Sequence, residues 1–325
     1  VTLNEMSKPH IVIVGGGFGG VYTARFLRPL LEDGSIRVTL INRENYFLFT
    51  PLLHEVASGG LTPRSVIEPM REIFKNSGVR FIEADVSSID TSAQTLKADT
   101  ETISYDYLVL SAGATTNFYG VRGAEQYSHT LKNLQDALHI RSALIIACEK
   151  ASRIENTTER KALLSCVVIG GGPAGVELAS ELVDFMKTTL SAYFNKTEIR
   201  PDDMSVTVLS SSPELLPQFP KSIGVIAHKA LVKSGVKIQN NTTVAEIRKK
   251  EIILSDGRTM VAEHIIWVAG VKPQPLKLAA NTLDKGGRVI TDQYLRVVHF
   301  ENIFALGDIA CCMPKSQQTP LPMLA

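Results

Sequence analysis

Cysteine is scarce in this chain: Cys148, Cys166, Cys311 and Cys312 are the whole complement in 325 residues. So few cannot frame a chain of this size as a disulfide scaffold, and a reducing compartment follows. No Cys-x-x-Cys or His–Cys spacing offers a zinc site, and no metal is expected. Cys166, inside the apolar run ALLSCVVIG, reads as core packing. The adjacent Cys311 and Cys312 read as filling after a loop rather than as a redox pair. Aromatics are also sparse, with Trp267 the single tryptophan, which argues against stacking platforms for bases. Neither sign of charge dominates, with 34 Lys and Arg against 33 Asp and Glu, scattered along the chain. Binding to nucleic acid, which depends on phosphate-neutralising Lys and Arg, is therefore not expected. No apolar run approaches the ~20 residues of a membrane-spanning helix. IVIVGGG is too short and too glycine-rich for a signal-peptide core. The opening residues, VTLNEMS, read as processed or leftover sequence, and the segment as soluble.

What is present is a 44% hydrophobic chain long enough for a large core and for two domains. Ile11–Val14 is a short apolar run, as expected of a parallel strand covered on both faces. Helical spacing follows over Val21–Leu31, then a second strand at Ile36–Ile41, which completes a β-α-β unit. Tyr107–Leu110 reads as another buried strand, closed by the turn SAGATT. A helix is expected over Leu131–Cys148 and a surface loop over Ala151–Arg160. The opening scheme then restarts: strand Leu163–Ile169, glycine turn, helix Ala174–Leu190, loop Asn195–Met204, strand Ser205–Leu209. Short strands with a turn at Ser255–Arg258 fill Thr243–Ile266, and Val289–Thr291 and Asn302–Ala305 follow. The chain thus carries an internal repeat of one nucleotide-binding unit. The fold class is α/β, with two Rossmann-like domains.

The repeat is centred on two glycine turns. Gly15-x-Gly17-x-x-Gly20 follows a strand and opens a helix. In such a turn the first glycine permits the bend, the second lets backbone approach a pyrophosphate, and the third allows close helix–strand packing. The anion then meets the amide end of the helix. Gly170-x-Gly172-x-x-Gly175 repeats the arrangement. Two dinucleotides are the simplest occupants, a tightly held FAD and an exchanging nicotinamide nucleotide. Near the carboxyl end, the apolar strand at Ile303–Ala305 delivers Gly307 and Asp308 to a sheet edge, where the Asp can accept hydrogen bonds from ribityl hydroxyls.

GGGFGG, SAGATT, GGGPAGVELA, WVAGVKP (Trp267–Pro273) and NIFALGD, in this order, resemble the flavoprotein disulfide reductase superfamily with two dinucleotide domains. Within it, NYFLFTPLLHEVASG (Asn45–Gly59) and GPAGVELASEL look like type II NADH:quinone oxidoreductases. The resemblance runs from His10 to the last residue. It implies an FAD domain formed by residues 1–125 and 285–325, with an NAD(P)H domain of residues 126–284 inserted in it. By the same resemblance Gly15, Gly17, Phe18, Gly20, Asn42, Arg43, Thr50, Ala112, Gly113, Gly307 and Asp308 serve FAD. Gly170, Gly172, Pro173, Gly175, Glu177, Ser210, Ala269 and Gly270 serve NAD(P)H. Glu177, in the first turn of the second helix, and Pro51, beside the flavin, are the expected catalytic positions. With no Cys-x-x-Cys beside the first helix, hydride passes directly from nicotinamide to flavin and then to a quinone.

The sequence departs from that family in three places. Asn42 stands where the first unit expects a ribose-binding acid. Ser210 stands where the second unit expects Glu, which loosens the preference for NADH over NADPH, while Glu214 would oppose a 2′-phosphate. The chain also stops at Ala325, before the family's quinone-site stretch and its amphipathic membrane-surface helices. For the intact protein the resemblance implies a peripheral respiratory-chain enzyme on the cytoplasmic face of a bacterial-type inner membrane, with quinone as acceptor and a homodimer as the oligomer it allows. The alternatives are an NAD(P)H-dependent reductase of a soluble electron carrier and a nucleotide-binding fragment without quinone turnover. A sulfide:quinone oxidoreductase is disfavoured, because Cys148 and Cys166 lie on the nicotinamide side.

Overall fold

The computed structural model describes residues 8–195, 198–276, 278, 280–313, 320, 321 and 323. The stretch VTLNEMS lies outside the described residues. The chain divides into two compact units. One takes the chain through Leu48, Ile67–Thr115 and the chain from Val271; the other takes Phe49–Val66 and Thr116–Gly270.

The first unit is built on a parallel sheet of five strands. Their order is Ile303–Ala305, Tyr107–Leu110, His10–Val14, Arg37–Asn42 and Arg80–Glu83. The central strand explains the apolar run seen in the sequence, since Val12 and Ile13 lose all exposure. Each such side chain contributes about 1.5–3 kcal/mol by leaving water. Val12 and Val14 face one apolar cluster and Ile13 faces another, so both faces of the sheet are covered. An antiparallel meander, Val86–Asp90, Thr95–Ala98 and Glu101–Ser104, precedes the strand Tyr107–Leu110.

The second unit repeats this plan. Its parallel sheet has the order Lys237–Gln239, Ser205–Leu209, Ser165–Ile169, His264–Trp267. It too carries an antiparallel meander, Val244–Arg248, Glu251–Leu254 and Thr259–Val261, just before the strand that flanks the central one. Gly257, at φ +86°, makes the expected turn between its last two strands.

Several boundaries differ from those expected. The first helix runs Phe18–Phe26 and a separate helix follows at Arg28–Glu32. Pro29 is the reason, since it brings no N–H and its ring crowds the preceding turn. The second glycine turn feeds a helix Pro173–Asp184 that passes into a π-helical turn, Phe185–Leu190. The expected loop at Ala151–Arg160 instead leads into a helix, Thr157–Leu163. There Asn156 caps by accepting from the N–H groups of Thr158 and Glu159, and Arg160 turns inward onto Asp203 at 3.0 Å. A buried ion pair outweighed the polar look of ASRIENTTER. The chain crosses between units at residues 115/116 and 270/271, earlier than the expected 125/126 and 284/285. Residues 49–66 group with the second unit because Leu53, Val56, Ala57 and Ser58 are buried on one short helix, Leu53–Ser58, packed against Leu134–Ala151 and Pro173–Asp184.

Candidate functional site

The first glycine turn is shaped by three different demands. Gly15 sits at φ +107°, where a side chain is strained, and its N–H donates to Ile41 O at 2.8 Å. A Cβ on Gly20 would run into the carbonyl oxygen of Gly15, so helix and strand approach backbone to backbone. Gly17 is unlike both. Its φ of −79° suits any residue, and a Cβ there would meet no heavy atom of the described residues within 4 Å. None of the described residues requires Gly17 to be small; a methyl there would fill only the space in front of the helix end. That end has no side-chain cap and no acidic residue in its first turn.

Around this turn the chain arranges its own polar groups. Asn42 Oδ1 accepts from Gly16 N–H at 2.7 Å, while its Nδ2 donates to Glu44 O at 2.8 Å. The residue expected to meet a ribose therefore has both ends of its amide committed to holding the loop. Ser111, missed in the sequence although it opens SAGATT, donates across to the carbonyl oxygens of Val14 and Gly15, 3.0 Å from each. Leu306 N–H donates to Leu110 O at 3.0 Å, which sets Gly307 and Asp308 next to Ser111, Ala112 and Gly113 at the carboxyl edge of the sheet. Gly113 and Gly307, at φ +70° and +76°, both face open space. Phe18 meets Phe47 edge-on at 5.0 Å. A cleft of about 380 Å³ opens beside the turn, lined among others by Gly15, Asn42, Arg43, Asp85, Ala112 and Gln274. Arg43 and Asp85 approach to 3.8 Å on its exposed rim.

The second turn repeats these relations almost residue for residue. Gly170 has φ +134° and donates to Leu209 O at 2.9 Å, and a Cβ on Gly175 would strike Gly170 O. Gly172, at φ −79°, would place a Cβ 3.9 Å from Gln218 Nε2 and near nothing else described. Pro173 follows in the helix's first turn, where its missing N–H is no loss. Ala269 and Gly270 leave the flanking strand, and Gly270 is packed so closely under Tyr119 that a Cβ would collide with its ring.

Ser210 is 3% exposed, and its hydroxyl accepts from Ser212 N–H at 3.2 Å. Glu214, expected to repel a 2′-phosphate, pairs with Lys221 at 2.7 Å, so its charge is countered. The end of this strand thus presents no unpaired carboxylate among the described residues.

Glu177 lies just beyond the first turn of its helix, not within it: the helix begins at Pro173, one residue earlier than expected, and its first turn holds no acid. A helix-dipole role, which fades beyond the first turn, explains it poorly. Its carboxylate instead meets His54, with Nδ1 3.7 Å from Oε2. His54 is the site's second missed residue, hidden within the quoted block Asn45–Gly59. Thr50 and Pro51 form an exposed 3-10 turn ahead of it and belong to the second unit, not to the first with the other expected flavin residues. Burial pushes the thiols of Cys148 and Cys166 up to about 12, which suits packing and not nucleophilic exchange.

Two sheets of like order, each ending in a glycine cradle, define a protein of two dinucleotide-binding units. The chain belongs to the pyridine nucleotide-disulphide oxidoreductase family, which it matches over residues 9–325. Its relatives there are type II NADH:quinone oxidoreductases. It is 35% identical over 324 residues to the mitochondrial external alternative NAD(P)H-ubiquinone oxidoreductase B3 of Arabidopsis thaliana, covering 93% of this chain and 55% of the plant protein. It is 33% identical over 317 residues to the type II NADH:quinone oxidoreductase NdhA of Mycobacterium tuberculosis, covering 93% of this chain and 66% of that protein. The solved structure of NDH2 from Plasmodium falciparum in complex with NADH superposes with a TM-score of 0.85 at 26% identity, covering 95% of this chain and 65% of the other. The chain therefore spans little more than half the length of the plant relative.

Proposed function

We propose that the chain is the two-nucleotide part of an FAD-dependent NADH:quinone oxidoreductase, with FAD on the first unit and NADH on the second. The observation that carries this reading is the pair of middle glycines, Gly17 and Gly172. Their backbones do not need glycine, and a Cβ at either would fill only the cradle before an uncapped helix end. Such a cradle fits a pyrophosphate, whose charge the helix amides meet. FAD is assigned to the first unit because Gly307 and Asp308 return to the edge of that sheet, where a ribityl chain would need an acceptor.

FAD supplies two-electron acceptance from a reduced nicotinamide and release to a quinone. The chain's own residues bind and orient. Gly15–Gly20 and Gly170–Gly175 present backbone amides, Asn42 and Ser111 keep the first turn in shape, and Ala112, Gly113 and Gly307 leave room at the sheet edge. The family resemblance supports a role for Glu177 and Pro51 beside the reacting rings. Thiols held at about 12 give Cys148 and Cys166 no part in electron relay. Among the described residues no helix is long and apolar enough to cross a membrane. Contact with the membrane surface, the quinone site and any homodimer are assigned to the intact protein, on the inner-membrane face implied by the resemblance.

NADPH as an additional donor is favoured by one observation, the absence among the described residues of an unpaired carboxylate at the strand end after Ser210. The test is steady-state oxidation of NADH and NADPH with a short-chain ubiquinone. Parallel double-reciprocal lines are expected, since the two half-reactions alternate. Failure of the quinone to reoxidise the reduced flavin of the intact protein, where the quinone site is assigned, would refute the assigned acceptor.

A further inference from the structure

The short helix Leu53–Ser58 meets the helix Pro173–Asp184 through two side-chain pairs, four residues apart on each helix. Ser58 Oγ donates to Glu181 Oε2 at 3.1 Å, and His54 Nδ1 lies 3.7 Å from Glu177 Oε2. Residues four apart share a helix face, so the two helices are joined at successive turns. The pairs differ in their surroundings. Ser58 is buried and also lies 3.0 Å from its own helix's Glu55 O, as a fastening between packed helices would. At the other pair the His54 side chain is 15% exposed and Glu177 53%. Other charged groups lie near these helices. Glu181 accepts from Ser58, and Arg141, from the helix Leu134–Ala151, reaches the far end of the short helix at Gly59. Glu55 is the remaining acid on the short helix itself.

A half-exposed glutamate samples several rotamers, and ordering it costs entropy each time it must act. The imidazole is set on backbone fixed by the buried Leu53 and Val56, so it offers a rigid neighbour. We infer that His54 is a positioning residue for Glu177, holding its carboxylate in one place through the Nδ1 side of the ring. This rests on the functional reading above, in which Glu177 serves the nicotinamide.

The experiment uses the chain reconstituted with FAD and measures flavin reduction by NADH in stopped flow, without oxygen. The variants are His54→Asn, His54→Gln, Glu177→Gln and the double variant His54→Gln/Glu177→Gln. Asn places its amide nitrogen near the position of Nδ1, and Gln near that of Nε2. His54→Gln should slow reduction roughly ten- to a hundred-fold with unchanged NADH affinity, the scale on which displaced groups lose rate. His54→Asn should keep most of the rate, and the double variant should be no slower than Glu177→Gln alone. A second readout needs no turnover: in the flavin-free chain, the ring 15N and 1H resonances of His54 should move in Glu177→Gln and stay in Glu181→Gln. Equal losses in the Asn and Gln variants, with additive effects in the double, would leave His54 a structural role only and overturn the inference. Unmoved His54 resonances in Glu177→Gln would overturn the pairing itself. If NADH fails to reduce the unsubstituted chain, the functional reading falls, and with it the role given to Glu177, whatever the resonances show.

Discussion

Gly17 and Gly20 are three residues apart, and the structure predicts opposite consequences for adding a methyl group to each. At Gly17 the backbone is extended, φ −79° and ψ −165°, and a Cβ meets no described heavy atom within 4 Å. Alanine there narrows the unfolded ensemble, a gain of about 0.4–1 kcal/mol. It is a poorer helix N-cap than glycine by a comparable amount. Gly17→Ala should therefore change stability by less than about 1 kcal/mol. At Gly20 a Cβ would overlap the carbonyl oxygen of Gly15 and stand 2.8 Å from Ser111 Oγ. Helix and strand must separate, at a cost of about 1–3 kcal/mol. Binding should follow a different order. A methyl at Gly17 blocks the approach of an anion to the helix amides, and losing one charge-assisted hydrogen bond removes about 1.5–3 kcal/mol. Gly17→Ala should thus weaken FAD at least about ten-fold while the apo chain unfolds normally. Urea unfolding of the apo chain and quenching of FAD fluorescence on titration measure the two quantities. FAD binding by Gly17→Ala as tight as in the unsubstituted chain, or unfolding as ready as in Gly20→Ala, would refute the role given to this cradle. Gly172 and Gly175 should show the same contrast with NADH.

Three further outcomes follow from buried groups and from the second loop. Burial pushes His264 down to about 4, and its Nε2 has no hydrogen-bond partner among the described residues. Because its folded pKa lies below the ordinary 6.5, its contribution is present above that value and is lost as pH falls through 6.5 towards about 4. Stability should drop by about 2 kcal/mol between pH 7.5 and 5, read from urea midpoints, and His264→Leu should remove that part of the slope. Arg160 and Asp203 form a buried pair at 3.0 Å. Burial alone would push Asp203 up, but the Arg200 N–H and the Arg160 guanidinium hold it below the usual carboxylate range. Arg160→Met should cost about 3–5 kcal/mol in urea unfolding, and adding Asp203→Leu should restore most of it. Ser210→Glu should lower the NADPH-to-NADH ratio of kcat/KM roughly ten- to a hundred-fold; an unchanged ratio would remove Ser210 from nucleotide choice.

The parallel strands were the most legible part of the fold. Runs such as IVIV and CVVI are apolar at consecutive positions because both faces of each sheet are covered. The glycine turns were equally plain, since a Cβ at Gly20 or Gly175 would overlap backbone and force helix and strand apart. The meander at Val86–Ser104 was not legible: its strands are half exposed and carry Ser, Asp, Thr and Lys. Nor was the helix at Thr157–Leu163, whose stability comes from an Asn156 cap and an inward Arg160, neither visible as apolar periodicity. At the site, the residue types were readable but their partners were not. Asn42 proved committed to its own loop and Glu214 to Lys221, while Glu177 lies 3.7 Å from a histidine more than a hundred positions away. The last of these depends on which helices pack together, information that no local pattern holds.

In the proposed function the first cradle holds FAD and the second holds a reduced nicotinamide able to reduce it. The most direct test of that assignment is the visible spectrum of the FAD-reconstituted chain, recorded without oxygen as NADH and then NADPH is added. The flavin band should bleach at one equivalent of NADH, and Gly172→Ala should lose that bleaching at the same concentration. A chain that binds no flavin, or a bound flavin that neither nucleotide reduces, would contradict the assignment.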